Sequence, residues 1–245
     1  MGLSSQEISV DTQGGREERS VSRIKTIILV HGFWADASCY REVIPRLRST
    51  GYEVMAVQNP LTSLQDDIAA TQRVLNRLNQ PCILVGHSWG GFVITEVGLD
   101  PRVVGLVYLA GLAPDIDESM LDLMSRYGQP SPHFQEEDGF IWISPQGIKE
   151  VLAQDLSDQQ QALLYATQTP PAAPLTTAKA KQPAWHHKPS WYLVTQADQA
   201  MPPPLQAELA QRMKAQTMMV NSGHFPMLSY PMTVVDIIDA AVLNS

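Results

Sequence analysis

The residues of this chain able to do covalent chemistry together are a glycine-flanked serine, an aspartate and a late histidine. Ser88 stands in Gly86-His87-Ser88-Trp89-Gly90-Gly91. An apolar run, Ile83-Leu84-Val85, comes before it and a helix-forming run from Phe92 follows. That is the G-x-S-x-G pattern in the strand-then-helix setting it requires. A bare G-x-S-x-G arises often by chance, so the flanking strand, helix and extra glycine carry the reading. A serine hydroxyl attacks an acyl carbonyl only when a base takes its proton, and a carboxylate must orient that base. With this elbow the expected chain order is serine, acid, histidine.

The remaining members are sought at strand ends. His224, in Ser222-Gly223-His224-Phe225-Pro226, directly follows the last apolar strand run. Of the six histidines it alone is both late in the chain and at such an edge, where open parallel sheets bind ligands. Asp198, in Thr195-Gln196-Ala197-Asp198, follows the penultimate strand run and is the expected acid; Asp115, farther past its own strand, competes. Acyl transfer also needs N–H donors for the oxyanion. Trp89, after the nucleophile, and Phe33, in His31-Gly32-Phe33-Trp34, are the expected donors. His31 is read as a structural loop residue and His87 as packing. Trp34, Trp142, Tyr165, Trp185 and Met227 are candidates to line an apolar substrate pocket. His186-His187 has no third ligand in view, so no metal site is expected.

The elements that must position these residues alternate. Ile24–Val30, Tyr52–Val57, Cys82–Val85, Val103–Leu109, Trp191–Thr195 and Thr217–Val220 read as strands. Helices are expected at Ser38–Ser49 (kinked or shortened by Pro45), Ser63–Asn79 with Ser63 as N-cap, Trp89 to about Leu99, Pro203–Met213 and Met232–Leu243. Such alternation implies an α/β fold whose mostly parallel sheet is flanked by helices. Residues 112–186 break the rhythm. They are rich in Pro, Gln, Asp and Ser, with short helices expected near Ile116–Tyr127, Pro145–Gln154 and Asp158–Ala166. They read as a helical cap inserted after the strand that follows the nucleophile helix. The expected division is a flexible arm at 1–23, in which Ile8 and Val10 are candidates for an edge strand, a core at 24–111 and 187–245, and the cap.

The chain has 245 residues, long enough for one large domain with a sizeable core, and is 44% hydrophobic. A net charge of -8 without a basic stripe argues against nucleic-acid binding. The two cysteines, Cys39 and Cys82, suggest neither a bridge nor a metal site. Residues 1–23 lack the apolar stretch of a secretion signal and no run is long enough to span a membrane, so a cytoplasmic protein without membrane partners is expected.

On His31-Gly32-Phe33-Trp34, Gly86-His87-Ser88-Trp89-Gly90-Gly91, Asp198 with Pro202 beyond it, and Ser222-Gly223-His224, residues 24–243 resemble the α/β-hydrolase fold superfamily. More narrowly they are similar to its small esterase branch, with plant methylesterases and hydroxynitrile lyases. The resemblance implies Ser88 as nucleophile, His224 as base, Asp198 as acid, the Phe33 and Trp89 amides as oxyanion hole, and no cofactor. The plant lyases carry a hydroxylated residue in the oxyanion loop and a lysine near the last histidine. Here Phe33 and Phe225-Pro226-Met227 stand in those places, which disfavours lyase chemistry. The expected activity is hydrolysis of small carboxylic esters, short acyl chains included, by a monomer or homodimer. C–C hydrolase or lyase, perhydrolase and receptor roles are the alternatives on the same scaffold.

Overall fold

The computed structural model describes residues 26–128 and 131–245. The arm expected at 1–23, with Ile8 and Val10, and the first residues of the strand expected at Ile24 lie outside the described residues.

The apolar runs form strands because each is covered on both faces. β1 (Thr26–Val30) and β3 (Cys82–His87) are buried at every position, as is β7 (Ser190–Thr195). Continuous apolar runs of this kind suit central parallel strands. With β2 (Glu53–Val57), β4 (Val103–Leu109) and β8 (Gln216–Val220), they make a sheet in the order β2-β1-β3-β4-β7-β8. Every pairing in it is parallel. The two-stranded unit β5 (Phe134–Glu137) and β6 (Phe140–Ile143) lies apart as an antiparallel pair. The order of the main sheet places its switch point between β1 and β3. From β1 the chain crosses outward to β2, and from β3 it crosses the other way to β4. The loops leaving those two neighbouring strand ends therefore diverge and leave a crevice, the usual ligand position in an open α/β sheet. The elbow serine and the His31–Trp34 loop follow β3 and β1, so topology alone brings them together.

The helices show how local chemistry sets boundaries. The single helix expected at Ser38–Ser49 is instead a 3₁₀ turn, Ala37–Tyr40, followed by α1 (Ile44–Ser49). Pro45 lies in the first turn of α1, where a missing N–H leaves no bond unmade. It opens a helix rather than kinking one. Ser63 caps α2 (Leu64–Leu75), its Oγ accepting from Asp66 N at 3.1 Å. α3 (Trp89–Val97) packs against β3, and α9 (Pro231–Leu243) lies against β3, β4 and β7. α7 (Pro203–Arg212) covers β7, and the short α8 (Pro226–Ser229) follows the His224 loop.

Between β4 and β7 lie α4 (Met120–Met124), the β5–β6 pair, α5 (Pro145–Gly147) running into a π turn at Ile148–Leu152, and α6 (Asp158–Ala166). Short helices were expected in this region; the hairpin was not, and the segment is not purely helical. The signal for it is Asp138-Gly139, both at positive φ (51° and 79°), a two-residue turn of the kind that matches strand twist. Gln135, Glu136 and Glu137 made β5 too polar to stand out as a strand. No helix among the described residues is long and apolar enough to cross a membrane.

Candidate active site

Ser88 sits between β3 and α3 with φ 53° and ψ -120°. A non-glycine residue there costs of order 1–3 kcal/mol and persists only where its surroundings hold it. Ser88 N donates to Leu109 O at 3.1 Å, while Ser88 O accepts from Gly91 N and Leu112 N, each at 2.9 Å. The turn also needs bare backbone at Gly90, where a Cβ would lie 2.1 Å from Val30 O. Ser88 is half-buried and faces a small recess that it shares with His224, Trp89 and Phe33.

The loop after β1 is held by its histidine. His31 Nδ1 donates to Gly32 O at 2.9 Å, and Nε2 accepts from Asn59 N at 2.9 Å. One donor and one acceptor require the neutral ring, and burial lowers the pKa of His31 accordingly. It is structural, as expected. Gly32 lets the loop reach the serine, since a Cβ there would lie 2.6 Å from Ser88 Cβ. The Phe33 and Trp89 rings stack at 4.9 Å, so the two residues expected to supply oxyanion donors are side by side. Trp89 is the first residue of α3, and the first N–H groups of a helix have no acceptor within it.

The strand-end loops bring Asp198 and His224, the expected acid and base, into contact. His224 Nδ1 and Asp198 Oδ2 are 2.8 Å apart, both residues buried. The carboxylate accepts four further bonds. Ala200 N (2.8 Å) and Met201 N (2.9 Å) reach Oδ1, while Thr195 Oγ1 (2.8 Å) and Gln206 Nε2 (3.1 Å) reach Oδ2. With Nδ1 so engaged, Nε2 is the nitrogen left to exchange a proton. The competing acid, Asp115, instead pairs with His186 at 2.9 Å. His87 does more than pack. Its Nε2 donates to the His224 carbonyl at 2.7 Å, and burial drives its pKa well below the ordinary value.

The recess, about 50 Å³, adjoins a chamber of about 740 Å³, and they share Phe33, Trp34, Met120, Met124, Phe134 and Ala200. Of the five candidate pocket residues only Trp34 lines this space. Trp142 and Tyr165 are 41% and 42% exposed; strand alternation turns Ile141 to the chamber and Trp142 away. Trp185 is buried elsewhere, donating Nε1–H to Pro114 O and stacking on His186. Met227 is buried outside the lining.

Reading the sequence missed Thr195, three residues before Asp198 at the end of β7, and Gln206, whose contact depends on α7 packing beside β7. It also missed Met120 and Met124, although their i,i+4 spacing in an expected helix was a signal for a shared face. Asp67, buried in α2, was a third omission. Its Oδ2 accepts from Trp89 Nε1 at 2.8 Å and its Oδ1 from Leu61 N at 2.9 Å; burial pushes its pKa up to about 6.

A family model described as the alpha/beta hydrolase family matches residues 27–237. The alpha/beta hydrolase nvfD of Aspergillus novofumigatus (strain IBT 16806) is 28% identical over 237 residues, covering 86% of this chain and 94% of that one. The carbendazim hydrolyzing esterase of Nocardioides sp. (strain SG-4G) is 29% identical over 127 residues, about half of each chain (46% and 52%). Among solved structures, polyneuridine aldehyde esterase superposes with a TM-score of 0.76 at 19% identity, covering 88% of this chain and 98% of the other. Tomato methylketone synthase I, complexed with 2-tridecanone, gives 0.75 at 19%, covering 89% and 98%. At such identities the structures show a shared fold.

Proposed function

This chain belongs to the alpha/beta hydrolase family, and from that premise we propose that it cleaves carboxylic esters through an acyl-enzyme on Ser88. The observation that carries the reading is the buried Asp198–His224 hydrogen bond, with His224 and Ser88 lining one recess. In the proposed cycle Ser88 Oγ bonds to the ester carbonyl carbon as its proton passes to His224 Nε2. The Phe33 and Trp89 amides hold the oxyanion. The carbon–oxygen bond to the alcohol then breaks, and the alcohol leaves with the proton from His224. Water attacks the acyl-serine, giving its proton to His224. Collapse releases the acid and returns the proton to Ser88.

The chamber beside the recess sizes the substrate. Its walls come from the 112–186 segment (Met120, Met124, Phe134, Ile141) and from the core (Phe33, Trp34, Ala200). That shared wall supports reading residues 112–186 as a cap over the site. A volume of about 740 Å³ is in the range that encloses a drug-sized ligand. The accepted esters therefore extend past short acyl chains to bulky, neutral, apolar ones.

A panel of nitrophenyl esters of graded chain length, run with wild type and Ser88→Ala, tests the reading. Turnover in the wild type, lowered by about 10³-fold or more in the variant, is expected. A wild type inert on every ester, or a variant that keeps its activity, overturns the acyl-enzyme mechanism and moves lyase, perhydrolase and receptor roles forward.

A further inference from the structure

We propose that Gln154 and Asp155 are positioning residues that hold the acid-bearing and base-bearing loops together from the segment between β4 and β7. The inference rests on Asp198 and His224 acting as acid and base.

The two side chains each grip the residue next to one member of that pair. Gln154 Nε2 donates to Ala197 O, one residue before Asp198. Asp155 Oδ2 accepts from Gly223 N at 2.8 Å, one residue before His224, and Ser222 Oγ lies 3.2 Å from the same oxygen. The loops are also joined directly, Ala197 N donating to Ser222 O at 3.1 Å. The approach is close: a Cβ at Gly223 would lie 2.5 Å from Asp155 Oδ1 and 3.0 Å from Gln154 Oε1.

The grip has a firm base. Ala153 N closes the π turn on Ile148 O at 2.8 Å. The buried Gln161 of α6 then donates to Ala153 O at 2.9 Å and to Leu156 O at 3.1 Å, bracketing residues 154 and 155. Single π turns occur frequently at functional sites. Asp155 itself is exposed, so water can replace its carboxylate without undoing the core. What its loss changes is the placement of His224 against Asp198. Displacement of a reacting group by about 1 Å can lower a rate by about 10²-fold.

The bond from Gly223 N falls on a single oxygen, so asparagine at 155 can keep it while alanine cannot. The test compares Asp155→Ala, Asp155→Asn and Gln154→Ala with wild type in two measurements. The first is kcat and KM on a nitrophenyl ester. The second, which needs no substrate, is the low-field proton resonance of the His224 Nδ1–H to Asp198 bond, assigned by its loss in Asp198→Asn. Asp155→Ala is expected to lower kcat about tenfold with KM nearly unchanged and to broaden the resonance. Asp155→Asn should restore both, and Gln154→Ala should fall between. Wild-type kcat and an unaltered resonance in Asp155→Ala overturn the proposal, as does an equal defect in Asp155→Asn. Failure of the ester-hydrolase reading shows separately, as turnover that is absent or independent of Ser88, and the resonance then decides the positioning role.

Discussion

Residues outside the recess hold this site in place. Asp67 is an example. It is fully buried, anchors the Trp89 indole and the Leu61 amide, and has a pKa raised to about 6 by desolvation. Its folded pKa is above the unfolded value of 3.8. The folded state therefore binds the extra proton between those values, and stability is lost as pH rises through them. The shift corresponds to about 3 kcal/mol at pH 7. Asp67→Asn removes that charge but turns an amide N–H toward one of two donors, at a cost of about 1–3 kcal/mol. The terms nearly cancel at neutral pH. Urea unfolding should therefore find the variant close to wild type at pH 7 and less stable at pH 4, the difference swinging by about 3 kcal/mol. A constant difference across that range would show that Asp67 does not titrate there.

The elbow and the hairpin show what an element can disclose beforehand. G-x-S-x-G was legible at 86–90 because its mechanics are local, a strand, a sharp turn and a helix, with bare backbone where they meet. Gly90 carries that constraint most heavily, because its missing Cβ would sit 2.1 Å from the end of β1. The atoms it would meet, in Val30 and His31, are backbone and not side-chain tips that can move aside. Gly90→Ala is expected to cost more than about 3 kcal/mol, beyond ordinary overpacking, read as a lower urea midpoint or as insoluble protein. The β5–β6 hairpin was equally local, yet passed over. Asp138-Gly139 marked its turn, but three polar residues in β5 hid the alternation. Pro45 was misjudged for a similar reason, since a proline reads as a break until the helix start is known to lie one residue before it.

At the scale of the molecule the sheet order decides where the candidate site sits. β1 and β3 are neighbours with diverging connections, so the His31–Trp34 loop and Ser88 meet although Phe33 and Ser88 are far apart in sequence. Beneath them two buried imidazoles, His31 and His87, have pKa values below 6.5 through desolvation. The unfolded chain protonates both near that value and the folded chain does not, so both terms lose stability as pH falls. Asp67 acts in the opposite sense between about pH 4 and 6. With two imidazole terms against one carboxyl term, stability is expected to fall as pH drops from 7 to 5. In Asp67→Asn, without the opposing term, the drop should be steeper. Urea midpoints across that range check both; a flat profile would mean that the imidazoles are protonated in the folded state.

What the sequence determined by itself was whatever depends on neighbours along the chain. That includes the alternation of strands and helices, the elbow around Ser88, and the strand-end placement of Asp198 and His224. Backbone geometry and hydrophobic period are local properties, and residue types record them directly. Tertiary structure alone decided the rest. Trp34 faces the chamber while Trp142, Tyr165, Trp185 and Met227 do not. Gln206 of α7 bonds Asp198, Asp67 carries Trp89, and Asp155 reaches Gly223 across 68 positions. Each of these depends on which faces meet when elements distant in sequence pack together. That arrangement is set by packing between distant residues, and no spacing along the chain records it.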